Sequence, residues 1–161
     1  LDPFTLYIAP SHDELSAEGH LYMDDGQTFA YRDDQAFLAR KFTLTRDGPG
    51  HLRLASTSLT GRDIHTSASS TALQVPGNVY EQETSSVRVE RVIAYGLPEV
   101  HRIIARDAHG HETSLAFTYT SGTSRSPTAS DASAMLASRL EIRDPRVLIG
   151  QDWSILIETA P

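Results

Sequence analysis

The sequence contains no cysteine, which removes thiol catalysis, cysteine-ligated zinc and disulfide bridges together. Basic residues are scarce: 14 Lys and Arg against 21 Asp and Glu leave a net charge of −7. A nucleic-acid-binding domain carries the opposite sign, so no nucleic-acid partner is expected. No run of about 18 apolar residues occurs, so no transmembrane helix and no membrane partner are expected. The G-x-S-x-G elbow, the phosphate-binding P-loop and the dinucleotide motif G-x-G-x-x-G are all missing. What remains is an ordinary globular composition, 39% hydrophobic and 22% charged over 161 residues. That is one domain, long enough to bury a core without a covalent or metal staple. The chain opens at Leu1, close to an apolar run, which reads as a piece of a longer polypeptide.

The pattern is one of short strands and turns. Phe4, Leu6 and Ile8 alternate with Thr5, Tyr7 and Ala9, the period of a strand. Further strands are expected at His20–Met23, Thr28–Tyr31, Phe37–Thr45, His51–Ser56, Val87–Tyr95, Val100–Arg106, Thr113–Tyr119, Arg139–Arg143 and Val147–Ile157. Asp24-Asp25-Gly26 reads as a hairpin turn, because Gly accepts positive φ and Asp tolerates it. Asp47-Gly48-Pro49-Gly50 and Asp107-Ala108-His109-Gly110 read as turns of the same kind. Val87, Val89, Ile93 and Tyr95 fall on one strand face and Val92 and Ala94 on the other; Trp153, Ile155 and Ile157 oppose Leu156. Helical signal is confined to Asp33–Lys41 and Asp131–Ser138. Many short strands with frequent turns predict an all-β, antiparallel β-sandwich. Two Ser/Thr-rich stretches, 61–86 and 120–134, are expected to be flexible insertions.

Candidate chemistry is thin. Asp24 and Asp25 are neighbours in a turn, and adjacent residues of a strand point apart, so a turn role takes precedence over paired acid–base catalysis. A calcium site is the other chemistry such turn carboxylates could supply. Asp33 and Asp34 suit the N-terminus of a short helix. His109 and His111 straddle Gly110 and could share a strand face, but no third ligand stands at a useful spacing. Of the twelve aromatic residues, most fall on strand faces and read as core; an exposed row of them could stack on sugar rings. No residue is assigned as catalytic, cofactor-binding or metal-ligating, and no cofactor is expected.

Two segments carry a family resemblance. Asp2-Pro3-Phe4-Thr5-Leu6-Tyr7-Ile8-Ala9 and Gly19-His20-Leu21-Tyr22-Met23-Asp24-Asp25-Gly26-Gln27-Thr28-Phe29-Ala30-Tyr31 resemble the C-terminal region of glycoside hydrolase family 31. Phe37–Phe42, Val89–Ile93 and Asp152–Ile155 narrow the resemblance to its endoplasmic-reticulum glucosidase II branch. The resemblance implies a single distal β-sandwich domain over residues 1–161, with 1–9 at the junction to a proximal β-domain. It implies a parent α-glucosidase whose Asp nucleophile and Asp acid/base lie on a (β/α)8 barrel outside this chain. That enzyme would act by a retaining mechanism on α-1,3-linked terminal glucose of N-linked high-mannose glycans. It would reside in the endoplasmic reticulum lumen with a non-catalytic β subunit. The expected role here is to support and dock on the barrel. The alternatives are a carbohydrate-binding module, or the same domain of a secreted family 31 α-glucosidase or α-xylosidase.

Overall fold

The computed structural model describes residues 2–34, 36–59, 86–122 and 137–160. Among these residues ten strands form two facing sheets, with one short helix between the second and third strands: β1 (Phe4–Ile8), β2 (Ala17–Met23), α1 (Ala30–Asp33), β3 (Leu38–Arg46), β4 (His51–Ser58), β5 (Val89–Tyr95), β6 (Val100–Arg106), β7 (Glu112–Ser114), β8 (Phe117–Thr120), β9 (Arg139–Arg143) and β10 (Trp153–Thr159). One sheet has four strands in the order β1-β5-β9-β8; the other has six in the order β2-β3-β4-β10-β6-β7. The expected all-β sandwich is therefore found. One feature of the expectation is corrected: β1 and β5 run parallel, and only the other pairs are antiparallel.

Both sheets turn their apolar alternation inward. Leu44, Leu54, Ile103, Ile155 and Ile157 of the six-stranded sheet meet Val89, Val92, Ala94, Leu140 and Ile142 of the four-stranded sheet. Trp153 closes one end of this core, its indole N–H donating to the carbonyl of Leu148 at 3.0 Å. Arg40 is the exception on the inner side of β3. It is 2% exposed, and its guanidinium bonds to the Ser56 hydroxyl, the carbonyls of Gly150 and Gln151, and the carboxylate of Asp152.

Three expectations are corrected by pairing that local pattern does not encode. Asp24–Gly26 is no hairpin turn: β2 pairs with β3, and the connection runs over residues 24–37. Thr28–Tyr31 is no returning strand, since α1 begins at Ala30; the helix expected over Asp33–Lys41 is displaced to Ala30–Asp33. The single strand expected over Thr113–Tyr119 divides at Leu115-Ala116 and changes sheets: β7 pairs with β6, whereas β8 pairs with β9. The faces of β5 are also reassigned. Phe4 pairs with Val89 but Thr5 with Arg91, a bulge that leaves Glu90 over. The extra residue inverts the alternation, so Val92 and Ala94 join Val89 in the core while Ile93 and Tyr95 fall on the opposite face, where Ile93 is still buried at 3% exposure. The face assignment of β10 holds, with Trp153, Ile155 and Ile157 buried. The insertions expected at 61–86 and 120–134 lie, apart from Ser86 and residues 120–122, outside the described residues, as does most of the helix expected over Asp131–Ser138.

Candidate functional site

The end of β2 and the loop that leads from it to β3 concentrate exposed aromatic surface. Phe29 is 64% exposed, Tyr22 50% and Tyr31 38%. The loop is shaped by its carboxylates. Asp25 Oδ1 accepts the backbone N–H groups of Gln27 and Thr28 at 3.1 and 3.0 Å, and its Oδ2 accepts the Thr28 hydroxyl. Asp24 Oδ1 accepts the N–H of Gly26 at 2.9 Å, and the Tyr22 hydroxyl donates to Asp24 Oδ2 at 3.1 Å. Gly26 takes φ of +63°, the left-handed conformation expected of it. The Thr28 hydroxyl, then the two N–H groups, hold the Asp25 carboxyl below the ordinary aspartate range. Partial burial, then the hydrogen bond its hydroxyl donates to Asp24 and the charge of that carboxylate, raise the Tyr22 phenol. Tyr22 stacks on Phe37 with ring centres 5.5 Å apart, and Arg32 lies 5.2 Å over the Phe29 ring. These carboxylates are hydrogen-bond acceptors that organise a loop.

The remaining sequence candidates are solvent-facing. Asp33 and Asp34 sit at the C-terminal end of α1 rather than the N-terminus expected for them, and Asp33 pairs with Arg32. His109 and His111 occupy the turn between β6 and β7 with ring centres 6.1 Å apart. Asp107 joins them: its Oδ1 accepts the N–H groups of both histidines, and its Oδ2 lies 3.1 Å from His111 Nδ1. The His111 N–H is the main cause of a lowered Asp107 pKa. Among the described residues no group of three or more His, Asp or Glu is arranged to hold a metal ion, and no helix is long and apolar enough to cross a membrane.

Two features were not singled out from the sequence. An apolar groove of about 410 Å³ opens between β1 and β2, lined by Phe4, Leu6, Ile8, Leu21 and Phe42. On the outer face of the four-stranded sheet, three arginines surround Glu141. Arg139 Nη2 lies 2.7 Å, Arg143 Nε 2.9 Å and Arg91 Nε 3.6 Å from its carboxylate. Arg143, then Arg139, hold Glu141 below the ordinary glutamate range, and Glu141 in turn raises Arg139. The alternation in Arg139-Leu140-Glu141-Ile142-Arg143 was the available signal, since it places all three charges on one strand face.

No family model matches the chain. It is similar to the neutral alpha-glucosidase AB of Homo sapiens, 27% identical over 154 residues, which cover 96% of this chain and 12% of that protein. The neutral alpha-glucosidase AB of Sus scrofa is 26% identical over the same length. The chain thus spans about 12% of the length of the curated relatives it matches. A solved glucosidase II alpha subunit with DNJ bound superposes with a TM-score of 0.68 at 23% identity, over 97% of this chain and 14% of that one. The catalytic subunit in an ER glucosidase II heterodimer with the binding domain of its regulatory subunit gives 0.65 at 22%. The fold is shared with these structures, and the resemblance read from the residues recurs across nearly the whole chain.

Proposed function

We propose that this chain is a non-catalytic β-sandwich domain of a family 31 α-glucosidase of the glucosidase II type, and that it braces and docks on the catalytic barrel of its parent. The observation that carries the reading is the match itself: 96% of this chain aligns with 12% of neutral alpha-glucosidase AB, as a domain aligns within a larger enzyme. The parent reaction is retaining hydrolysis of α-1,3-linked terminal glucose on N-linked high-mannose glycans in the endoplasmic reticulum lumen. Its nucleophile and acid/base carboxylates lie on the barrel, and a non-catalytic β subunit accompanies it.

The aromatic loop supplies a physical basis for docking. Phe29, Tyr22 and Tyr31 expose apolar surface from a segment already ordered by Asp24 and Asp25, so little further entropy is lost when it packs. A stable interface of this kind buries on the order of 1,000 Å² or more. The sugar-binding reading is less well served. Phe29 and Tyr31 are inclined by 51°, so they form no coplanar platform, and Trp153 is buried.

The test compares the parent enzyme with and without this domain, and with Phe29→Asp. Loss of the domain is expected to lower α-glucosidase activity and thermal stability. Phe29→Asp is expected to weaken association of separately expressed domain and barrel. Release of p-nitrophenol from its α-glucoside by the isolated 161-residue chain would overturn the non-catalytic assignment. Unchanged parent stability without the domain would overturn the bracing role.

A further inference from the structure

We propose that the outer face of the four-stranded sheet, where Arg91, Arg139 and Arg143 converge on Glu141 beside Tyr7 and Tyr95, is a docking surface for an acidic segment of a partner polypeptide. Strand register assembles it. Thr5, Arg91 and Arg143 form one cross-strand row, Tyr7, Ile93, Glu141 and Thr118 the next, and Tyr95, Arg139 and Thr120 the third. Their neighbours Leu6, Val92, Ala94, Leu140 and Ile142 point into the sandwich, so the rows face outward. The face is distant in kind from the aromatic loop, and the proposal does not depend on the enzyme reading.

Charge selects the partner. Three guanidiniums share one carboxylate, an excess of two positive charges on a chain whose net charge is −7. The Glu141 side chain is only 9% exposed, whereas that of Arg143 is 75% exposed. Glu141 therefore acts as an anchor beneath the arginines and leaves their outer donors to solvent. Each guanidinium carries five N–H donors in a rigid fork, and Arg91 Nε is buried without a hydrogen-bond partner. Forks held in place by a buried carboxylate lose little freedom when they grip another one. Tyr7, 70% exposed, adds the kind of rigid amphipathic surface that is enriched at protein interfaces.

Shape selects a macromolecule over a small ligand. Small-molecule sites are concave, whereas this sheet face presents Tyr7 and the Arg143 side chain, 70% and 75% exposed, over the buried Ile93 and Glu141. A nucleic acid would meet the field of an acidic domain along its whole length. An extended Asp/Glu-rich segment needs only the local patch.

The test titrates the whole chain into a fluorescein-labelled peptide of alternating Glu and Ser, followed by anisotropy. Saturable binding is expected, weakening as salt rises from about 0.05 to 0.3 M. Arg139→Gln with Arg143→Gln should weaken it by about tenfold or more, and the paired Lys replacements by less. Tyr7→Ser leaves the Glu141 cluster intact, so it should weaken binding several-fold without changing the unfolding temperature, and it keeps the test valid if the double Gln variant fails to fold. Parental affinity in Tyr7→Ser or in a folded double Gln variant, or no saturable binding, overturns the proposal. Tighter binding of inorganic polyphosphate would assign the face to phosphate instead. Self-association in sedimentation that the Lys pair abolishes would assign it to a second copy. Either outcome also overturns it.

Discussion

The guanidinium of Arg40 lies 2.6 Å from the carboxylate of Asp152, joining β3 to the start of β10 at one end of the core. The two groups are unequal: the Arg40 side chain is 3% exposed and that of Asp152 64%. Burying a guanidinium is costly unless every donor is satisfied, and here Ser56 and two loop carbonyls share the task with Asp152. Asp152 also accepts the N–H of Ser58 at 3.0 Å. Arg40→Ala leaves a cavity and strands those carbonyls, a loss of about 2–4 kcal/mol. Asp152→Ala leaves Arg40 its other acceptors and should cost less, about 1–2 kcal/mol. Urea unfolding of both variants checks the order, and a costlier Asp152→Ala would contradict it.

Gly26 should tolerate replacement poorly, for a reason confined to the backbone. Nothing lies within 4 Å of where its Cβ would stand, yet its φ is +63°. Gly26→Val should lower stability by about 1–3 kcal/mol. Gly26→Asn, which enters the left-handed region more readily, should lose less. Thermal unfolding that ranks Asn below Val would show that side-chain crowding, not φ, governs the position.

Acid should weaken the fold through Asp25, Asp107 and Glu141. All three titrate below their ordinary values, because hydrogen bonds and neighbouring arginines favour the charged form. Carboxylates with depressed folded values bind protons more readily when unfolded, so their stabilisation is complete above the unfolded values and lost as pH falls through the folded ones. Stability is expected to hold from pH 7 to about 5 and to decline below about pH 4. Glu141→Gln should be less stable than the parent at pH 7, with the difference shrinking towards acid. A pH-independent difference in unfolding temperature would disprove the charge argument.

Trp153 is the sole tryptophan, and it is 5% exposed with its ring 6.0 Å from Phe42. Its fluorescence should be blue-shifted in the native chain and should move to the red in a single transition on unfolding. Trp153→Ala should cost about 3–5 kcal/mol through the cavity it leaves. A native emission maximum equal to that of free tryptophan would contradict the packing.

The amino-acid sequence by itself determined the strand-rich composition, the polarity of β10 and the glycines of several turns. Alternating Trp153, Ile155 and Ile157 can bury only one face, and Gly26 adopts the positive φ expected of it, as do Gly48, Gly50 and Gly110 in the other glycine-marked turns. These are local properties of two or three neighbouring residues. Tertiary structure alone decided which strands meet. The bulge at Glu90 appears only when β5 lies beside β1, and it exchanges the faces of Val92 and Ile93. Leu115-Ala116 crosses between sheets because β7 finds β6 while β8 finds β9. The arginines around Glu141 illustrate the same division. Arg139 and Arg143 share a strand face with Glu141 by simple alternation, whereas Arg91 reaches it from β5, a strand far away in sequence whose Arg91 pairs with Arg143 of β9. Pairing between strands is non-local, and its register is set by how two whole faces bury their apolar surface together.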